Sequence, residues 1–168
     1  HNDDLKTGRN VEVDISIVEV KDSKKKGQFA EEVMRYLPEW FGNEKALVEF
    51  VDGVTSLPFW AALDHEDKCI GFISIKIHYG HTGDIYVFGV LPEYQGRGIG
   101  RLLLAKAEEY LKNNNCKYII VKTLSDIVEY EPYERTRLFY KKVGFEELIT
   151  LTEMWDSENP CLIMIKEL

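Results

Sequence analysis

The stretch Val87–Arg101 restricts the fold of this chain more than any other part of the sequence. Its first five residues are mostly apolar and typical of a β-strand, and Pro92 then marks a turn. Glycine occupies alternate positions over Gly96–Gly100, just before a leucine-rich segment that predicts an amphipathic helix. Glycine lets backbone amides approach a ligand closely, and the first amides of a helix lack partners at the positive end of its dipole. We therefore expect this glycine turn, defined as Gln95–Arg101, to bind a phosphate or pyrophosphate group.

Two common phosphate-binding motifs do not fit the spacing. A P-loop requires Lys followed by Ser or Thr after its last glycine, where this chain has Arg101 and Leu102. A dinucleotide-binding turn requires G-x-G-x-x-G and an acidic residue about 20 positions later, at the end of the next strand. The next predicted strand, Tyr118–Lys122, ends in lysine. Neither motif therefore accounts for the glycine turn.

Composition excludes several other classes of protein. A chain of 168 residues with 45% hydrophobic and 30% charged residues suits one globular domain. The net charge of −8 argues against a nucleic-acid partner and favours the approach of a cationic substrate. No apolar run is long enough to span a membrane, and no signal peptide is expected. Three scattered cysteines without a C-x-x-C pair predict reduced thiols and a cytoplasmic location.

Hydrophobic periodicity and turn residues predict an alternation of strands and helices, hence a mixed α+β sheet flanked by helices. Residues 1–10 are expected to be flexible or partly an expression remnant, Lys24–Gly27 a charged turn, and Met154–Pro160 a loop. The predicted helices are Phe29–Leu37, Glu44–Val51, Ile99–Lys112 and Tyr133–Val143, the last with Gly144 as a left-handed cap. The predicted strands are Val11–Val20, Phe59–Leu63, Cys69–Ile77, Asp84–Val90, Tyr118–Thr123, Phe145–Thr152 and Cys161–Lys166.

Two motifs resemble the GNAT superfamily of acyltransferases. The glycine turn begins Gln95-Gly96-Arg97-Gly98-Ile99-Gly100, which closely resembles the Q/R-x-x-G-x-G/A motif of that family. The segment Phe139–Phe145 resembles its F-Y-x-x-x-G-F motif. The resemblance implies one GNAT domain over residues 1–168, of class α+β (three-layer α/β), with a mixed, mostly antiparallel central sheet and helices on both faces. It also implies acetyl-coenzyme A (acetyl-CoA) as cosubstrate and no metal.

The resemblance further implies which residues bind the cosubstrate. The glycine turn would hold the pyrophosphate, while the end of the preceding strand would pair with the pantetheine arm and polarise the thioester carbonyl. These residues are Phe88, Gly89, Val90, Gln95, Gly96, Arg97, Gly98, Ile99, Gly100 and Arg101. Tyr140 matches the tyrosine that protonates the departing thiolate in this family.

The acceptor side is less constrained by sequence. An amine nucleophile must lose a proton before it attacks, and Asp84 is the predicted catalytic base. Glu39, His78 and His81 are alternative bases, and each is also a residue type that commonly lies on a protein surface. His78, His81 and Asp84 have a spacing that resembles a metal site, but residues of a hairpin need not converge and no fourth ligand is near. Aromatic and helical positions predict substrate contacts at Trp40, Phe41, Tyr133 and Arg137.

The expected activity is therefore acetyl transfer to a primary amine by direct attack, with Tyr140 as general acid and no covalent acyl-enzyme. The acceptor would be a small-molecule or peptide amine. A homodimer that pairs its closing strands is also an expectation. A protein of the same fold that binds or senses acyl-CoA without catalysis remains the alternative, since it would share the glycine turn.

Overall fold

The computed structural model describes residues 14–168, so the expectations for residues 1–10 and for the start of the first strand lie outside it. Within that range the chain forms five α-helices, of which the one after the glycine turn is the longest. The helices are α1 (Ser23–Met34), α2 (Pro38–Phe41), α3 (Glu44–Gly53), α4 (Ile99–Asn113) and α5 (Glu131–Lys142). None of these helices is long and apolar enough to cross a membrane.

Seven strands form one sheet in the order β1-β2-β3-β4-β5-β7-β6. The β1–β2, β2–β3, β5–β7 and β6–β7 pairings are antiparallel, whereas β4 and β5 run parallel. This mixed, mostly antiparallel sheet with intervening helices confirms the predicted fold class. The strands are β1 (Ser16–Glu19), β2 (Phe59–Leu63), β3 (Cys69–His78), β4 (Thr82–Val90), β5 (Tyr118–Leu124), β6 (Glu146–Asp156) and β7 (Asn159–Glu167).

The predicted charged turn at Lys24–Gly27 is wrong, because these residues form the first turns of α1. Asp22 caps the helix, and its side chain accepts a hydrogen bond from the amide of Lys25. The ammonium of Lys26 donates to the carbonyl oxygen of Leu57 at 2.6 Å, so this lysine is buried. The cap and this tertiary contact outweigh the local charge density.

The predicted loop Met154–Pro160 is also wrong in its extent. β6 continues to Asp156 and β7 resumes at Asn159, so only two residues connect the strands. A side-chain oxygen of Asp156 accepts hydrogen bonds from the Glu158 amide and the Asn159 side chain, which closes this short hairpin.

The chain forms two compact units. The first comprises the described residues up to Ile75 together with Val87–Ala107. In this unit a Cβ on Gly71 would meet Leu103 of α4, whereas a Cβ on Gly89 would meet Leu37, just after α1. Helices therefore pack on both faces of this part of the sheet.

The second unit comprises Lys76–Tyr86 and Glu108–Leu168. Its parallel β4–β5 pairing runs from Thr82↔Tyr118 to Ile85↔Val121. The C-terminal part of α4 covers one face here. Leu111 lies where a side chain on Gly83 would project, and Glu108 pairs with Lys166 of β7 at 3.0 Å.

Candidate active site

After β4 the chain forms a short 3-10 turn, Pro92–Tyr94, which is followed by the glycine turn. The second half of the glycine turn is the start of α4. The side-chain amide of Gln95 donates a hydrogen bond to the carbonyl oxygen of Val90 at 2.9 Å, which fixes the start of the turn against the strand. Gly96 and Gly98 have φ angles of +76° and +85°, which L-amino acids with a side chain rarely adopt. The backbone path thus favours glycine at positions 96 and 98.

The space around this turn is open. No atom of the described chain lies within 4 Å of the position that a Cβ would take on Gly96 or Gly98. The first hydrogen bond of α4 runs from the Leu102 amide to the Gly98 carbonyl oxygen, so the amides just before Leu102 have no acceptor within the helix. Ile99 is buried and anchors the helix start. These features suit an anionic ligand at the N-terminus of α4.

Two arginines add positive charge to the glycine turn. Arg97 is exposed, and its guanidinium lies 5.7 Å from the ring centroid of Tyr94. Arg101 is exposed in the first turn of α4. Both side chains are therefore accessible to phosphate groups.

The end of β4 precedes the turn. Gly89 is buried, and a Cβ there would lie 2.9 Å from Cδ1 of Leu37, so a larger residue would have to displace that side chain. Phe88 and Val90 are half-buried. The parallel pairing with β5 ends at Ile85, so Phe88–Val90 lie beyond it.

Tyr140 lies in α5 and is only 5% exposed. Its ring packs edge-on against Phe145 with centroids 5.3 Å apart, and Gly144 between them has a φ of +105°, as predicted for the helix cap. Burial, together with the nearby Tyr133, raises the pKa of the Tyr140 hydroxyl above its ordinary value. The phenol is therefore protonated at neutral pH.

Asp84 is almost completely buried in β4, with its side chain 4% exposed. Its Oδ2 accepts hydrogen bonds from Nε2 of His78 and from Nζ of Lys122, each at 2.7 Å. Its Oδ1 is buried and has no hydrogen-bond partner among residues 14–168. The structure thus brings together two residues that the sequence singled out, and adds a third that it did not.

Lys122 is the residue that sequence reasoning missed. Its signal was a lysine within the apolar strand Tyr118–Leu124, which usually needs a partner. In the observed register Asp84 pairs with Ile120, so Lys122 lies two residues further along the same face. Within the described residues, no group of three His, Cys, Asp or Glu side chains could hold a metal ion.

The predicted substrate-binding residues have different environments. Tyr133 lines a cavity of about 230 Å³ with four other residues, and burial raises the pKa of its hydroxyl. Arg137 is buried in α5, where its guanidinium donates to the carbonyl oxygen of Leu124 at 2.7 Å. Trp40 and Phe41 are half-buried in α2, and Phe41 contacts Phe50 edge to face. The other four residues of the cavity are Leu124, Trp155, Asp156 and Asn159.

Comparison with known proteins gives the family. Residues 19–145 match the Acetyltransferase (GNAT) family, and the chain belongs to it. A mycothiol acetyltransferase from Saccharopolyspora erythraea is 37% identical over 84 residues, which are 50% of this chain and 28% of that protein. The chain therefore spans about a quarter of the length of such curated relatives.

Solved structures share the fold at low sequence identity. A Desulfovibrio desulfuricans protein assigned to the GNAT family has a TM-score of 0.77 at 19% identity, over 91% of this chain and 98% of that one. An aminoglycoside 6'-N-acetyltransferase complexed with coenzyme A has a TM-score of 0.73 at 18% identity, over 90% and 96% of the two chains.

Proposed function

We propose that this protein transfers the acetyl group of acetyl-CoA to an amine. The observation that carries the proposal is the open glycine turn, whose two positive-φ glycines leave unobstructed space at the N-terminus of α4. Backbone amides of Gln95–Arg101 would bind the pyrophosphate, assisted by Arg97 and Arg101. Membership in the GNAT family supports the same ligand.

The end of β4 would hold the pantetheine arm in this proposal. Main-chain groups of Phe88–Val90 would pair with its amides as an added strand, and a strand amide near Val90 would polarise the thioester carbonyl. The bound molecule supplies an activated acyl group. The Gln95 contact to the Val90 carbonyl couples this strand end to the pyrophosphate site.

Tyr140 would donate a proton to the departing sulfur. A general acid must carry its proton before the step, and the raised pKa of Tyr140 ensures that it does. We assign removal of the amine proton to the Asp84 neighbourhood, where a carboxylate, an imidazole and an ammonium meet. The acceptor attacks the thioester directly, because burial raises the pKa of the thiols of Cys69, Cys116 and Cys161, which makes them poor nucleophiles.

A small-molecule amine is the proposed acceptor. The relatives' names refer to mycothiol and aminoglycosides, both of which are small molecules. The net charge of −8 favours a cationic acceptor, and Asp156 places a carboxylate beside Tyr133 and Trp155 in the cavity. Contacts from Trp40 and Phe41 belong to the same proposal, whereas the bond from Arg137 to Leu124 favours a supporting role for that residue.

Coenzyme A binding and amine turnover test the proposal together. At 100 times its Kd, coenzyme A adds about 2.7 kcal/mol to the free energy of unfolding, which corresponds to a rise of about 5–10 °C in Tm for a chain of this size. Thiol release from acetyl-CoA should then depend on an amine from a panel of spermidine, lysine and kanamycin. A Tm rise without turnover on any amine would favour the non-catalytic alternative, and no rise would refute the ligand itself.

Tyr140→Phe tests the proton donor. The variant retains the ring that packs on Phe145, so coenzyme A should raise its Tm as in the wild type. Loss of a general acid should lower kcat about 10²-fold or more. Tyr36→Phe removes a hydroxyl from a tyrosine that is 66% exposed, and serves as the matched control. Equal turnover of Tyr140→Phe and wild type would remove the acid role.

A further inference from the structure

Three strands contribute one side chain each to a cluster around the buried carboxylate of Asp84. His78 ends β3, Asp84 lies in β4 and Lys122 lies in β5. One oxygen of Asp84, Oδ2, accepts hydrogen bonds from His78 Nε2 and Lys122 Nζ at 2.7 Å each. The three residues differ in access to solvent, since the side chains of His78, Lys122 and Asp84 are 44%, 29% and 4% exposed.

This difference in access decides which group an acceptor can reach. Asp84 has one oxygen occupied by two donors and the other enclosed, so a substrate amine cannot approach it. His78 is half-exposed. Because its Nε2 donates to the carboxylate, the neutral ring carries its lone pair on Nδ1. The reachable proton acceptor of the cluster is therefore an imidazole nitrogen.

We propose that His78 is the general base of the acetyl transfer, and that Asp84 and Lys122 are positioning residues. This inference rests on the proposed function. It replaces the sequence-based expectation that Asp84 itself removes the proton. A buried carboxylate that holds an imidazole by one ring nitrogen fixes both its tautomer and its orientation.

Nδ1 of His78 takes one proton from the acceptor ammonium, which leaves a neutral amine. The amine nitrogen forms a bond to the acyl carbon, and the bond from carbon to sulfur breaks. Tyr140 gives its proton to the sulfur and regains one from the new amide nitrogen through solvent. His78 then releases its proton to solvent.

Charged and titratable groups of the neighbouring strands determine the electrostatic surroundings of His78. Asp84 faces it from β4 and Lys122 reaches the same carboxylate from β5. On its own strand Lys76 stacks over the ring of Tyr86, with Nζ 4.4 Å from the centroid. Cys161 of β7 lies near this charge pair, and burial raises the pKa of its thiol. Histidine is the side-chain type among these that ordinarily changes charge between pH 5 and 8.

The test uses the wild type, His78→Ala and His81→Ala with acetyl-CoA and spermidine, or the panel amine with the highest turnover, from pH 6 to 9. In the wild type, kcat/KM should rise with pH to a plateau, because a general base must be unprotonated to accept a proton. In His78→Ala, kcat at pH 7 should fall about 10²-fold. The remaining rate should rise about tenfold per pH unit towards pH 9, because only free neutral amine then reacts. Added imidazole should restore part of the rate.

His81→Ala is the matched control. His81 lies three residues from His78, is exposed, and pairs its Nδ1 with the hydroxyl of Thr82 at 2.6 Å. It should retain the wild-type plateau. A structural loss at His78 would abolish the Tm rise caused by coenzyme A and would not respond to imidazole, and that result would overturn the inference.

Two further variants report on the positioning residues. Asp84→Asn removes the negative charge beside His78, so the acidic limb of the profile should move to lower pH. Lys122→Met removes a positive charge, so the limb should move to higher pH. If His78→Ala and both of these variants turn over the amine at the wild-type rate, with the same pH profile as the wild type, this inference alone is overturned. If the wild type acetylates none of the amines, the proposed function is refuted, and the role of His78 as base is refuted with it.

Discussion

Gly98 combines a backbone conformation that favours glycine with open space, so it tests the proposed pyrophosphate site at a single residue. Its φ of +85° makes any side chain costly, and the space around its missing Cβ is empty. In Gly98→Ala we expect a loss of about 1–2 kcal/mol in the free energy of unfolding. The methyl group would also enter the space proposed for the pyrophosphate. We therefore expect the Kd of coenzyme A, measured by calorimetry, to rise at least about tenfold, or about 1.4 kcal/mol.

Gly80 provides the comparison for this variant. It lies in the turn between β3 and β4 with a φ of +71°, and no other part of the described chain comes within 4 Å of its Cβ position. Gly80→Ala should therefore show a similar loss of stability with no change in coenzyme A affinity. If the two variants bind coenzyme A equally well, the glycine turn is not the pyrophosphate site.

Residues that act together could be predicted from the sequence where they are consecutive in the chain, but not where strand pairing brings them together. The glycine turn is a run of consecutive residues, so spacing alone located it. The partners of Asp84 depend on the register of β4 against β5, which places Lys122 on the same face although 38 positions separate the two residues. No local pattern specifies such a register.

At the scale of elements, the same distinction holds. Strand β2 has the predicted bounds, because its short apolar run ends at a polar hairpin. Helix α1 starts six residues before the predicted Phe29, since the hydrophobic pattern begins only there, whereas the cap at Asp22 fixes the true start. Hydrophobic periodicity therefore finds an amphipathic helix but misses its polar first turns.

The β6–β7 hairpin illustrates how pairing extends strands beyond their apolar residues. Residues Glu153–Asp156 are exposed, and polar residues in this segment suggested a loop. The terminal pair Asp156↔Asn159, together with the hydrogen bonds of the Asp156 carboxylate, carries the ladder to a two-residue connection. These contacts place Trp155 and Asp156 at the cavity that Tyr133 lines. The position of these acceptor-site candidates therefore follows from an extension of the predicted strand pair that the sequence did not indicate.

Stability across the whole molecule can be followed through its three cysteines. Cys69 lies in the first unit, whereas Cys116 and Cys161 lie in the second. All three are free and buried, and burial raises the pKa of each thiol, to about 12 for Cys69. Only an exposed thiolate reacts with a disulfide reagent, so each cysteine reports the opening of its own surroundings.

We expect native protein at pH 8 to react slowly with Ellman's reagent, and denatured protein to release three equivalents at once. Cys116 should react first, because it is 7% exposed and lies in the connection before β5, whereas Cys69 and Cys161 are 1% and 0% exposed within strands. Cys116→Ala should remove the fastest phase and leave the other two unchanged. Coenzyme A should slow the labelling of Cys69, since its unit contains the whole glycine turn and a ligand that binds the folded state suppresses opening. Rapid labelling of Cys69 in the presence of saturating coenzyme A would show that this unit opens independently of the proposed site.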